Sequence, residues 1–170
     1  RYATVNAGSM DSNPAPGNKA GGITTIVEKS LGAIAKGGTT DLVDVVEYAE
    51  PLVGPGLVFM DSPGYDPVSV TGMVAGGAQV VCFTTGRGSV FGCKPVPSIK
   101  VASNTPMFSR MRDDMDVNAG RVVDGTATVD EVGTELFDLI LEIASGRKPL
   151  SEEMGIGQDE FAPWPVGAVM

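Results

Sequence analysis

Histidine is absent from this 170-residue sequence. The chain therefore cannot build a Ser-His-Asp triad, a histidine zinc site or a histidine general base from its own residues. Acid–base chemistry has to come from Lys, Asp, Glu, Tyr or Cys side chains, or from another segment or chain. The two cysteines, Cys82 and Cys93, are too few for a disulfide framework. Cys82 lies within an apolar run, so we expect a buried thiol there and a reducing, cytoplasmic location.

Long apolar runs and clusters of positive charge are missing as well. The apolar runs fall far short of the ~20 residues that a membrane span needs, and the start of the chain does not resemble a signal peptide. The 12 Lys and Arg residues face 21 Asp and Glu residues, which gives a formal net charge of −9. Because an acidic surface repels phosphate backbones, we expect neither a nucleic acid nor a membrane as partner. The start at Arg1 predicts a processed chain or a fragment that lacks upstream residues.

Two kinds of apolar pattern alternate along the chain. Short apolar runs that end at Met60, Phe83 and Ala102 predict three strands, apolar on both faces as buried parallel strands are. Apolar residues at helical intervals predict helices in the segments 23–36, 41–49, 68–78 and 129–145, and 106–115 is expected to be a short helix or a turn. We therefore expect one α/β domain over residues 1–170, with a mostly parallel sheet flanked by helices. Residues 1–22 read as a loop, and the tail from Phe161 is expected to pack on the domain or a neighbour.

The last helix has clear signals at both of its ends. Thr128 and Glu131 form a capping box, in which the threonine accepts from a backbone N–H and the glutamate reaches back. One apolar face follows, and Gly146 is a suitable C-terminal stop. The segment between these signals is therefore predicted to be helical.

Polar clusters follow the three predicted strands. They are Asp61–Gly64, Thr84–Gly88 and Ser103–Pro106. The carboxyl ends of parallel strands lie along one edge of a sheet, and ligands bind in the crevice there. We therefore expect the three clusters to meet at one site.

The individual clusters each allow more than one interpretation. The glycines from Gly86 to Gly92 are spaced GxGxxxG rather than GxGxxG, which favours a turn that approaches an anion over a dinucleotide site. Arg87 in this turn either pairs with a substrate carboxylate in bidentate fashion or is a solvated, structural arginine. Asp61 and Asp66 suit a hard divalent cation, or Asp61 caps a local turn. Thr84, Thr85 and Asn104 similarly suit either a ligand or a turn.

The segment Asn13–Gly32 is the most specific stretch of the sequence. Its Gly-rich loop leads into a helix whose first turn carries Thr24 and Thr25, and helix N-termini bind anions. Glu28 and Lys29 follow one turn later. Because neighbouring helical residues lie about 100° apart, both reach one site only if that site wraps around the helix start.

This segment resembles the C-terminal part of the altronate dehydratase and galactarate dehydratase family. The resemblance also includes Phe59–Tyr65, Cys82–Ser89 and Lys100–Thr105, and it covers most of Asn13–Met170. It implies a Rossmann-like variant of the α/β fold, dehydration of a sugar acid, and dependence on a divalent metal, Fe(II) or Mn(II). It also implies a small N-terminal domain that this chain lacks, so the chain is expected to be the C-terminal portion of a longer enzyme and to form a homo-oligomer. A sulfolactate sulfo-lyase shares the fold.

The expected reaction removes the proton on C2 and the hydroxyl on C3, and a metal ion stabilises the enolate as a Lewis acid. Under this resemblance, the candidate metal ligands are Glu28, Asp61, Asn18 and Asp66. The candidate catalytic residues are Lys29, Lys19 and Glu28, with a lysine as the base. The candidate substrate-binding residues are Thr84, Thr85, Arg87, Ser103 and Asn104.

The C-terminal tail favours altronate as the substrate. Galactarate dehydration and sulfolactate sulfo-lyase activity stay open as alternatives, and so does a non-catalytic binding or assembly domain.

Overall fold

The computed structural model describes residues 13–162, which form an α/β fold. The helices are α1 (Pro16–Ala20), α2 (Ile26–Lys36), α3 (Asp66–Ala75), α4 (Thr105–Arg110), α5 (Gly120–Val123), α6 (Val129–Ala144) and α7 (Leu150–Glu153). The strands are β1 (Leu42–Val46), β2 (Leu57–Met60), β3 (Val81–Thr85), β4 (Ser98–Ala102) and β5 (Val117–Asn118). No helix within this part of the chain is long and apolar enough to cross a membrane. The predicted α/β class is confirmed, whereas the Rossmann-like detail stays a prediction.

The strands form two parallel sheets instead of the single sheet that we expected. β1 pairs with β2, and β4 lies between β3 and β5 in a three-stranded sheet. Consequently Thr85 and Ala102 end neighbouring strands, but Asp61 follows a strand of the other sheet. The prediction that all three polar clusters share one sheet edge is therefore wrong for the Asp61 cluster.

The predicted helix over 41–49 is also wrong, because Leu42–Val46 is strand β1. Leu42, Val45 and Val46 fit helical intervals, but β-branched valines favour strands. Pairing with β2, in which Val45 lies opposite Phe59, decides between the two. A strand partner distant in sequence cannot be read from spacing within the segment itself.

Helix termini agree with the sequence more closely. Thr128 and Glu131 form the predicted capping box at the start of α6, and Thr25 and Glu28 form a second one at the start of α2. Gly146 follows α6 with a φ of 108°, a left-handed conformation that favours glycine. In the C-terminal tail, the N–H of Ala162 donates to Thr71 Oγ1 of α3 at 2.8 Å, and the rest of the tail that we expected to pack on the domain lies outside the described residues.

The core is built around β4, whose five residues are all buried. Ile99 and Val101 pack with Val132 and Ile143 of α6. On β3 the exposure alternates, because α6 covers β4 and β5 while β3 lies at the edge of its sheet among the described strands. Cys82 falls on the exposed side, so the prediction of a buried thiol there is wrong, and the buried cysteine is Cys93.

Lys100 is a cation in the middle of this core. Its side chain is completely buried, and within residues 13–162 its Nζ has no hydrogen-bond partner. Burial lowers the pKa of Lys100, and the carboxylates of Asp114, Asp116 and Glu160 oppose that shift. Asp116 instead binds the backbone, since the Lys100 N–H donates to its Oδ2 at 2.7 Å. The buried amine therefore opposes folding.

Lys100→Met should stabilise the chain at pH 7, because it replaces an unpaired amine by an apolar group of similar size. We expect the free energy of unfolding to rise by about 1 kcal/mol or more in urea titrations. With the folded pKa of Lys100 below its unfolded value of about 10.4, the amine costs stability below that value. The advantage of the variant should therefore shrink as the pH rises through the folded pKa towards 10.4. An advantage that grows with pH would contradict this account.

Gly120 illustrates how tightly α5 approaches the start of α4. A Cβ at Gly120 would lie 2.2 Å from the backbone nitrogen of Thr105 and 2.4 Å from the carbonyl carbon of Asn104. These atoms belong to the backbone and cannot rotate away. Gly120 is therefore required by packing.

Gly120→Ala should lower the free energy of unfolding by about 2 kcal/mol, as overpacking of a core does. Gly133→Ala is the matched control, because Gly133 lies within α6 and a Cβ there meets no described atom within 4 Å. Alanine should stabilise that helix by about 1 kcal/mol. Urea unfolding of both variants tests the pair, and equal effects would show that packing at Gly120 is not limiting.

Candidate active site

A cavity of about 630 Å³ lies where β3 ends and where α1, α2 and α3 approach it. Its lining residues are Asn18, Lys29, Asp66, Phe83, Thr84, Thr85, Gly86, Arg87 and Gly88. Each of the four elements contributes a polar or charged side chain, namely Asn18 from α1, Lys29 from α2, Asp66 from α3, and Thr84 and Thr85 from β3. The cavity thus brings together six of the residues that the sequence predicted for the site. The first and last of them, Asn18 and Arg87, are 69 positions apart in the chain.

Arg87 is held against helix α1. A Cβ added to Gly17 would lie 2.7 Å from Arg87 Nη1 and 3.1 Å from its Cζ. A larger residue at position 17 would displace the guanidinium from this position. The Gly-rich loop of the sequence therefore has a packing role at the cavity.

Helix α4 fixes the turn that carries Arg87 from the other side. Asn104 Nδ2 donates to the carbonyl oxygen of Gly86 at 2.8 Å, and Arg110 Nη2 donates to the carbonyl oxygen of Arg87 at 3.2 Å. The turn itself is closed by Gly88, whose N–H donates to Thr85 Oγ1 at 3.1 Å and whose φ is 100°. The backbone on both sides of Arg87 is thus anchored.

Lys29 and Asp66 give the cavity a second cation and a carboxylate. Lys29 Nζ donates to Asn13 Oδ1 at 2.7 Å, which orients the ammonium. Burial raises the pKa of Asp66, and the charge of Lys29 counteracts this shift. The carboxylate is therefore more basic than an ordinary aspartate, which is useful in a proton acceptor.

Glu28 is directed elsewhere. Its carboxylate accepts hydrogen bonds from the hydroxyl and N–H of Thr24 and from the N–H of Thr25. These bonds, with the Thr24 hydroxyl foremost, lower the pKa of Glu28. The residue caps α2 and does not line the cavity, so the geometry does not bring it to the predicted catalytic and metal roles.

Four further candidates lie beside the cavity lining. Asp61 is exposed and its N–H donates to the carbonyl oxygen of Val46, which joins the ends of β2 and β1. Ser103 is exposed, and its N–H donates to the carbonyl oxygen of Thr85 in the same way. Asn104 caps α4 through Oδ1, which accepts from the Met107 N–H at 2.9 Å. Lys19 is half-buried and does not line the cavity. The structure brings none of the four into the lining.

Some residues of the site were not predicted from the sequence. Phe83 lines the cavity, and Arg110 supports it from outside. Gly86 and Gly88 also line it, and they belong to the glycine turn that the sequence predicts to approach an anion. Arg110 gave no signal, because it acts on a backbone carbonyl 23 positions away.

The donor atoms in the cavity do not make a complete metal site. No group of three or more Asp, Glu, Cys or His side chains is placed to hold an ion within residues 13–162. Asp66 and Asn18 line the cavity, whereas Glu28 and Asp61 do not. The described residues therefore do not fit an Fe(II) or Mn(II) centre on their own, and the metal stays a prediction.

A second, smaller cavity of about 320 Å³ lies beside α6 and α7. Its cations are Arg112, Arg147 and Lys148, and they are matched by Asp113, Asp116 and Glu153. Arg147 is already bound to Glu142. Because its charges are balanced within the wall and no strand ends there, the larger cavity is the better candidate.

Substitutions of Asn104 should separate its support of the turn from its capping of α4. Asn104→Ser keeps an acceptor for the cap but is too short to reach Gly86, whereas Asn104→Ala loses both contacts. We expect faster amide exchange at Gly88 in both variants. Only the alanine variant should also lose about 1 kcal/mol of stability. Unchanged exchange at Gly88 in both variants would show that Asn104 does not hold the turn.

The fold and the cavity define an α/β domain with a polar, cation-bearing pocket at strand ends. The family model for the C-terminal region of D-galactarate/altronate dehydratase matches residues 1–169. This chain belongs to that family, as its motifs predicted.

Individual relatives agree with this assignment. The chain is 42% identical over 167 residues to galactarate dehydratase (L-threo-forming) of Escherichia coli, covering 95% of this chain and 32% of that protein. It is 42% identical over 135 residues to altronate dehydratase of Bacillus subtilis, covering 79% of this chain and 27% of the relative. A match of 38% identity to (2R)-sulfolactate sulfo-lyase subunit beta of Chromohalobacter salexigens covers 85% of this chain and 38% of that subunit. The chain thus spans about a third of the length of these relatives.

Proposed function

We propose that this domain binds a sugar acid and contributes to its dehydration to a 2-keto-3-deoxy acid. One observation carries the proposal, namely that Arg87, Lys29, Thr84 and Thr85 line the same cavity. A guanidinium suits a carboxylate, and hydroxyl side chains suit the hydroxyls of a sugar chain. The volume of about 630 Å³ falls within the ~300–1,000 Å³ of small-molecule sites. The names of the relatives support the same class of substrate.

The charges in the cavity favour a substrate with one carboxylate. Among the described residues of the lining, Asp66 is the one carboxylate, and it offsets the charge of Lys29. Arg87 then supplies the remaining cation for the substrate. This balance supports altronate over galactarate, which carries a carboxylate at each end.

The reaction needs a base for the C2 proton and an acid for the C3 hydroxyl. We assign the base to Asp66, since its raised pKa makes its ionised form a stronger proton acceptor. We assign the acid to Lys29, whose Nζ donates to Asn13. Its ammonium protonates the C3 hydroxyl as the C3–O bond breaks. The electron pair of the C2–H bond forms the double bond, water leaves, and the enol tautomerises to the keto acid. A divalent ion would stabilise the enolate, but its ligands would have to come partly from outside the described residues.

Arg87→Gln should weaken binding of altronate by about ten- to a hundredfold, which corresponds to the loss of a charged hydrogen bond of about 1.5–3 kcal/mol. Titration calorimetry with the chain measures this effect. Arg147→Gln is the matched control, because it removes a guanidinium that pairs with Glu142 outside the cavity. Galactitol, which has no carboxylate, should bind weakly to every variant. Equal losses in the two arginine variants would refute the assignment of Arg87.

The same cavity also suits elimination of sulfite, as the sulfolactate sulfo-lyase relative indicates. Assays with altronate, galactarate and sulfolactate, with and without Fe(II), separate these reactions. Keto-acid formation without sulfite supports the dehydratase, and free sulfite supports the sulfo-lyase. The assays also include a protein that carries the additional region found in the relatives. If that protein binds these acids but converts none of them, the domain is a binding or assembly domain.

A further inference from the structure

The two-stranded sheet has one covered face and one bare face. Val46 is buried, and Met60 Cε lies near Gly76 at the end of α3, so α3 packs on one face. In β2, Leu57 and Phe59 alternate with Val58 and Met60, and the register sets Leu42 opposite Leu57 and Val45 opposite Phe59, past an irregularity between Leu42 and Asp44. We call the face that these four residues share the bare face, and its members are Leu42, Val45, Leu57 and Phe59.

All four residues of the bare face are exposed. Val45 and Phe59, which lie opposite each other in the register, are 59% and 58% exposed. Parallel sheets occur almost entirely with both faces covered, usually by helices. A pair of parallel strands with an open apolar face is not stable by itself. The bare face therefore requires a cover, and a helix is the element that suits it.

The sheet that lacks cover on one face lies in the N-terminal half of the described chain. Val27, Leu31 and Ile34 form an apolar stripe on α2, and this stripe is exposed as well. In contrast, β4 is completely buried, with α6 packed on it. The three-stranded sheet thus has a completely buried central strand, although Val129, Phe137 and Leu141 of α6 are exposed, whereas both strands of the two-stranded sheet expose apolar side chains.

We propose that the bare face docks an amphipathic helix from the polypeptide region that precedes this domain in its relatives. The match is to the C-terminal region of the family, and it leaves about two thirds of the length of each relative unmatched. The bare face belongs to the N-terminal half of the described chain, which is the half nearer that region along the polypeptide. Docking would bury Val45 and Phe59 and complete the second layer of the sheet.

Co-expression of the 170-residue chain with the unmatched region of the Escherichia coli galactarate dehydratase tests this proposal. We expect a complex in which amide exchange slows in 42–46 and 57–60. Val45→Glu and Phe59→Glu should each weaken it about tenfold or more, because a charge would be buried against apolar atoms. Phe137→Glu is the matched control, since Phe137 is equally exposed, at 59%, but lies on α6.

Three results would overturn the proposal. The first is a monomeric, folded chain that forms no complex. The second is a complex whose affinity Val45→Glu and Phe59→Glu lower no more than Phe137→Glu does. The third is a dimer of the chain alone that Val45→Glu dissociates in sedimentation experiments, since the bare face would then bind a second copy. Circular dichroism of each variant confirms that it is folded, and none of these results depends on sugar-acid turnover.

Discussion

The side chain of Asn104 links the core of the domain to the cavity. Its oxygen accepts from Met107 and begins α4, and its nitrogen donates to the carbonyl oxygen of Gly86. The position of Asn104 follows directly from β4, the completely buried strand that ends two residues earlier. The turn with Arg87 is therefore positioned by a strand whose residues are all buried. Support from a packed element of the scaffold keeps a binding group in place without a ligand.

How far the sequence predicts the structure depends on the range of the interaction concerned. The capping box of Thr128 and Glu131 was predictable, because its partners are three residues apart. The strand Leu42–Val46 was not, because its partner strand is distant and its spacing also fits a helix. Cys82 was misjudged for a similar reason, since its exposure depends on which strands α6 covers. The groups lining the cavity could be nominated from polar strand ends, but which of them converge depends on the division into two sheets.

The residues that the sequence predicted for the site fall into two groups, since some line the cavity and others cap helices. Asp66 and Lys29 line the cavity, where burial raises the pKa of Asp66 and the charge of Lys29 counteracts that shift. Glu28 and Asn104 were predicted to use their side-chain oxygens on a ligand, but those oxygens accept hydrogen bonds at the starts of α2 and α4 instead. Short polar side chains at helix starts satisfy backbone N–H groups, and a carboxylate so engaged is less available to a metal. The sequence pattern is the same in both cases, and only the surrounding backbone distinguishes them.

The cavity and the bare face are both incomplete, and both involve elements of the N-terminal half of the described chain. The cavity holds a single carboxylate among its described lining residues, which is too few for a metal centre, and two of its walls come from α1 and α2. The bare face belongs to β1 and β2, the next elements along the chain. Helix α2 exposes its apolar stripe and also carries Lys29 into the cavity lining. A region that docked on the elements before Asp66 would thus stabilise the wall of the cavity, and it could supply the missing ligands from the same side.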